Sequence, residues 1–196
     1  MPSIALGTAD INVYEMVGAY GTFANKGVYV KPIMVTSITD KAGTILYEYT
    51  PETRDVMSKD VAYTVLNLLE GVTKDGSGIR LRTTGAEEFR PEYKKVVTGY
   101  PWAFEQPIAG KTGTTQNQSD GWFMGVTPGL VAGVWVGCSE RQMRFRTTRL
   151  GQGAYMAKPI WTRFMQSVYR DAQTAPVKHR FREPKDFDIP LRCTST

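Results

Sequence analysis

Apolar residues recur at three- and four-residue intervals between Val13 and Asn25, with Met16, Val17, Tyr20, Phe23 and Ala24 in phase. That spacing predicts one buried face of an α-helix. Asn12 and Glu15 have the separation of a capping box with Asn12 as N-cap, and Gly27 stands where a left-handed stop is expected. The period then shortens. Ile33 to Thr39 and Thr44 to Tyr49 read as the arms of a hairpin around Asp40-Lys41-Ala42-Gly43, which Pro51 ends. A second helix is predicted from after Ser58 to about Val72, with Val61, Val65, Leu68, Leu69 and Val72 toward the core. Lys74-Asp75-Gly76-Ser77-Gly78 supplies the turn that follows.

From Gly85 to Gln106 the periodicity is lost, and charges, aromatics and prolines mix. A long surface loop is expected there, with Trp102 and Phe104 as candidate substrate contacts. Three strand patterns come next: Ile108 to Thr115, Gly121 to Val126 and Leu130 to Gly137. Their connections are too short for anything but antiparallel neighbours. After an arginine-rich loop, Ile160, Trp161, Phe164, Met165, Val168 and Tyr169 predict one stripe of a last helix, with Pro159 in its first turn. These elements predict an α+β fold, an antiparallel sheet flanked by helices. Residues 1–175 are expected to act as one unit and 176–196 as a polar tail, with Phe181, Phe187 and Ile189 as docking points.

Composition narrows the classes. With 196 residues, 41% hydrophobic and 22% charged, the chain can bury a sizeable core. No apolar run approaches the roughly 20 residues that cross a bilayer, and the first residues lack the features of a secretory signal. Any export or anchoring information is expected upstream. The net charge of +5 owes much to Arg141, Arg144, Arg146 and Arg149, which read as a solvated loop or a carboxylate contact. No recognition helix, zinc pattern or RNP motif accompanies them, so a nucleic-acid partner is not expected. Cys138 and Cys193 give no disulfide framework. Cys138 is expected as a small core residue and His179 as an exposed one. No cofactor or metal is called for.

The chemistry concentrates in Ala109-Gly110-Lys111-Thr112-Gly113-Thr114-Thr115. Strand alternation places Thr112 and Thr114 on one face, offering two hydroxyls to a carboxylate. Gly113 removes a side chain where another backbone could approach, and Lys111 adds positive charge. An anionic ligand fits this set. A plain strand of β-favouring threonines with an exposed lysine fits it too.

The wider context separates the two. Gly110 to Thr115, Asp120-Gly121-Trp122-Phe123-Met124-Gly125 and Val134-Trp135-Val136-Gly137 together resemble the penicillin-binding proteins, most of all the bifunctional class A type. Pro2 to Thr8 and Glu15 to Gly27 resemble the same transpeptidase domain, in the same order. The resemblance implies a fold of the penicillin-binding-protein and serine β-lactamase kind. It implies peptidoglycan cross-linking through a serine acyl-enzyme, with the D-Ala-D-Ala end of a stem peptide as donor and β-lactams as competing ligands. Lys111 would stabilise charge near the nucleophile. Thr112, Gly113, Thr114 and Thr115 would line the substrate, and the Thr114 backbone N–H would be half of an oxyanion hole. The parent protein would act on the outer, periplasmic face of the inner membrane.

One departure matters for mechanism. The family uses S-x-x-K for nucleophile and base and S-x-N as a second wall. None of the eight serines here has lysine three residues on, and none begins S-x-N. The nucleophile is therefore expected from an upstream part of the same domain, and the chain by itself is expected to be inactive. Ser77 and Ser119 read as turn formers. Two other functions stay open: a non-catalytic module that holds a carboxylate-ended peptide, and a D,D-carboxypeptidase relative. Helices that would pack on an upstream part are expected to expose apolar stripes.

Overall fold

A computed structural model describes residues 4, 7–82, 102–173 and 180–191. His179, Cys193 and the first part of the predicted long loop lie outside the described residues. Helix α1 spans Val13–Ala24 and begins with the predicted capping box. Asn12 Oδ1 accepts the Glu15 N–H at 2.9 Å, and the Glu15 carboxylate accepts the Asn12 N–H at 3.0 Å. At its end the Gly27 N–H reaches the Thr22 carbonyl (2.8 Å) and the Lys26 N–H the Phe23 carbonyl (3.3 Å). This is a Schellman closure. The left-handed stop falls on Lys26 (φ 57°), one residue before the predicted position, and Gly27 follows at φ 92°. A Cβ on Gly27 would lie 2.1 Å from the Met57 carbonyl oxygen, so the close approach of that segment requires glycine.

Strand β1 (Val28–Val30) pairs antiparallel with β4 (Thr53–Asp55), a pairing too short to leave a period in the sequence. Strands β2 (Ser37–Thr39) and β3 (Ile45–Glu48) form the predicted hairpin in shortened form. Its turn is held by Asp40 Oδ1, which accepts the Ala42 and Thr44 N–H groups at 2.8 Å each. The Thr44 N–H foremost holds that carboxyl below the usual carboxylate range.

Helix α2 (Lys59–Lys74) is capped by Ser58, whose Oγ accepts the Val61 N–H. Its core face differs from the predicted one. Ala62, Leu66 and Thr73 are buried, whereas Val61 and Leu68 are exposed. A polar anchor sets this rotation: the Thr73 hydroxyl donates to the Ile108 carbonyl at 2.6 Å.

The main sheet has the order β5-β6-β7, all antiparallel, over Ala109–Thr114, Asp120–Thr127 and Leu130–Gly137. Alternation gives it two faces. Ala109 and Val126 pack with Leu66, Tyr20 and Phe23, so α1 and α2 cover one face. Helix α3 (Gly153–Arg170) covers the other, where Trp161 meets Phe123 edge-on at 5.2 Å and donates its indole N–H to the Ala132 carbonyl.

Two predictions for α3 are corrected. Pro159 lies inside the helix, not in its first turn, because the helix starts at Gly153. The buried stripe is Ala154, Ala157, Lys158, Trp161, Thr162 and Met165, and Ile160 and Phe164 are exposed. Small residues at 153, 154 and 157 let the helix lie close to the sheet and rotate Trp161 inward. Trp102 and Phe104 are also buried in this cluster, so they are core residues rather than substrate contacts. Phe181 packs against the opposite cluster, and Phe187 meets Tyr63 edge-on at 5.1 Å. Among the described residues, no helix is long and apolar enough to cross a membrane.

Two outcomes are expected. Gly27→Ala lowers the thermal unfolding midpoint by several degrees, while Gly21→Ala, a helical site with open space around the new Cβ, leaves it equal or higher. Equal midpoints would refute the contact with Met57. The isolated 196-residue chain self-associates through exposed Val61 and Leu68 in light scattering, and a clean monomer would contradict this.

Candidate active site

Strand β5 is an edge strand: β6 pairs along one side, and no strand pairs along the other among the described residues. The Thr115 N–H donates to the Asp120 carbonyl, which fixes the phase of the ladder. With the register Gly113↔Trp122 and Lys111↔Met124, the N–H and C=O groups of Gly113 and Lys111 face β6. Those of Thr112 and Thr114 therefore face the open edge. The Thr112 carbonyl agrees, since it accepts the Lys111 ammonium at 2.7 Å. Lys111 starts on the sheet face opposite the threonines, and its side chain curls over the edge.

The two hydroxyls share the α3 face, and each has a partner. Thr114 Oγ1 accepts the Gly153 N–H at 3.1 Å. A hydroxyl has one proton and two lone pairs, so this bond uses a lone pair and leaves the Thr114 proton for a ligand. Thr112 Oγ1 lies 2.7 Å from Ser77 Oγ. Gly113 lies over Trp122, whose Cβ would be 3.0 Å from an added Cβ. Thr115 is not brought into this set: its hydroxyl accepts the Asp120 N–H at 3.1 Å and meets Ser119 Oγ at 2.9 Å. It builds the turn, as does Ser119, between β5 and β6.

Below this wall lies a residue that the sequence reasoning missed. Lys158, on α3, is fully buried at 0% exposure, and its ammonium donates to the Ser77 carbonyl at 3.3 Å. Burial, and secondarily the charge of Arg80, lowers its pKa to about 7. Its position in the 154, 157, 158, 161 spacing was the available signal. Ser77 left none, because its contact with Thr112 spans 35 residues of chain. The arginine loop sits beside the turn that follows β5, where the Phe145 N–H reaches the Gln118 carbonyl, and Arg141 pairs with Asp10. Cys138 is half-buried, with its thiol 3.6 Å from Met143 Sδ. A groove of about 510 Å³ lies elsewhere, at the β6–β7 turn beside Tyr63 and Phe181, and holds none of the predicted site residues.

The site is thus an antiparallel edge strand with the K-T-G-T sequence, backed by a closely laid helix. The family model described as penicillin binding protein transpeptidase domain matches residues 2–149. The chain belongs to this family, within the class A penicillin-binding proteins. It is 32% identical over 171 residues to penicillin-binding protein 1A of Aquifex aeolicus, covering 86% of this chain and 20% of that protein. The chain thus spans about a fifth of that relative's length. Among solved structures, penicillin-binding protein 1A of Haemophilus influenzae superposes with a TM-score of 0.71 at 19% identity, over 94% of this chain and 30% of the other. PonA1 of Mycobacterium tuberculosis in complex with penicillin V gives a TM-score of 0.68 at 23% identity, over 97% and 47% of the two chains. These two superpositions show the fold.

Lys158 gives a pH prediction. Its unfolded pKa lies near 10.5 and its folded value at about 7, so between these the unfolded state binds more protons. Stability from this residue is then lowest below pH 7 and rises with pH up to about 10.5. Denaturation midpoints measured across that window should rise less steeply for Lys158→Met. Identical slopes would refute the burial of an ionisable amine.

Proposed function

We propose that this chain forms the carboxylate-binding and oxyanion wall of a serine D,D-transpeptidase that cross-links peptidoglycan outside the cytoplasmic membrane. The phase of β5 carries this reading, because it turns the Thr114 N–H to the open edge beside Lys111 and Thr112. A nucleophilic serine from outside these 196 residues attacks the carbonyl of the penultimate D-alanine of a stem peptide. Negative charge develops on that carbonyl oxygen, and the Thr114 N–H donates to it without having to reorganise. The C–N bond then breaks, the terminal D-alanine leaves with a proton, and an acyl-enzyme remains. An amine of a second strand attacks the ester, and the serine is released. The Thr114 hydroxyl, already accepting from Gly153, donates to the terminal carboxylate of the substrate. Lys111 adds charge beside it. Penicillin carries a carboxylate and a strained amide in comparable places, and the PonA1 complex with penicillin V supports β-lactam binding for this chain.

A second reading, a module that binds a carboxylate-ended peptide without chemistry, draws on the same Thr112 and Thr114 hydroxyls. Acylation separates the two. In the full-length gene product, Lys111→Ala is expected to slow acylation by a fluorescent penicillin about 100-fold or more, the scale of losing a group that stabilises transition-state charge. Unchanged acylation in that variant would overturn the assignment of the wall.

A further inference from the structure

We propose that Ser77 is a positioning residue for substrate recognition, holding the Thr112 hydroxyl so that its proton points to the ligand carboxylate, with Lys158 clamping Ser77 from beneath. The inference rests on the function proposed above and goes beyond it, since Ser77 lies outside the K-T-G-T strand and its resemblance.

The turn that carries Ser77 is built tightly. The Asp75 N–H closes α2 on the Gly71 carbonyl at 2.9 Å, and the Gly78 N–H returns to the Val72 carbonyl at 2.9 Å. A Cβ on Gly76 would meet Val72 Cα at 2.9 Å, and one on Gly78 would meet the Val72 oxygen at 3.0 Å. A side chain at either glycine would crowd the helix end, and the residue between them reaches β5. Its hydroxyl meets Thr112 Oγ1 at 2.7 Å, the usual length of a strong O–H···O bond.

Direction follows from the neighbouring groups. Thr114 accepts the Gly153 N–H and keeps its proton for the ligand. If Ser77 donates to Thr112, the second threonine is prepared in the same way, and the wall offers two hydroxyl protons to one carboxylate. An anion in the site selects this direction, because it attracts protons and repels lone pairs. The Lys158 ammonium bonds the Ser77 carbonyl, so it fixes the backbone of the same residue. No carboxylate lies within 4.0 Å of this buried amine among the described residues.

The test uses the full-length protein and two ligands, a fluorescent penicillin and the same compound with its carboxylate as a methyl ester. Ser77→Ala is expected to weaken pre-covalent binding of the acid about tenfold, with the acylation rate constant within about threefold of the parent, the scale of one hydrogen bond to a charged group. The preference for acid over ester should fall by the same factor, and Ser77→Thr should restore it. Lys158→Met, verified as folded by its unfolding transition, should shift the preference in the same direction. An equal loss for both ligands, or an unchanged preference, would overturn the proposal. Lys111→Ala run in parallel separates the failures: if it leaves acylation intact, the functional assignment itself has failed. If it abolishes acylation while Ser77→Ala leaves the acid preference intact, only the role of Ser77 has failed.

Discussion

The structure depends on how closely α3 can lie on the three-stranded sheet. A Cβ on Gly153 would come within 2.3 Å of the Gly113 and Trp122 carbonyl oxygens, and one on Gly125 within 2.3 Å of the Trp161 ring. One on Gly121 would meet Met156 at 2.6 Å. Glycines on both sides of the interface thus replace side-chain contact with backbone contact. Had either surface carried ordinary side chains, the helix would stand off. Its first N–H could then not reach Thr114, and Trp161 could not bury against Phe123.

This close packing divides the labour of the β5 residues. Hydroxyls of Thr112 and Thr114 face inward to α3 and the Ser77 turn, where fixed partners orient them. Backbone groups of the same residues face the open edge, where a ligand can reach them. A group held by its neighbours before a ligand arrives loses little freedom on binding, the condition for strong electrostatic stabilisation. Lys158 extends the ordered layer beneath. Desolvating an amine is unfavourable, which its lowered pKa expresses, and the hydrogen bond to Ser77 offsets only part of that.

Much of this was legible in the sequence where short-range chemistry decides. The capping box of α1, the three strands and the shared face of Thr112 and Thr114 follow from spacing, and all three appear as predicted. What failed was rotation about helix axes. Apolar periodicity marks a stripe, but in α2 a single hydrogen bond from Thr73, and in α3 the fit of Trp161 over a glycine, turned the helix away from it. Val61, Leu68, Ile160 and Phe164 were therefore assigned to the wrong side. Trp102 and Phe104 were read as substrate contacts because their burial depends on Leu81 and Phe123 and on Trp161 and Met165 more than 50 residues away, which only the fold brings together. Ser77 was seen as a turn former, which it is, but its contact with Thr112 could come only from the fold.

The central claim is that these residues form a wall for a nucleophile they do not contain. Its most direct test is to acylate the full-length protein with penicillin and locate the penicilloyl group by peptide mass mapping. The account predicts the adduct on a serine outside the 196 residues, in an S-x-x-K sequence, with none on the isolated chain. An adduct on any of the chain's own eight serines would contradict it.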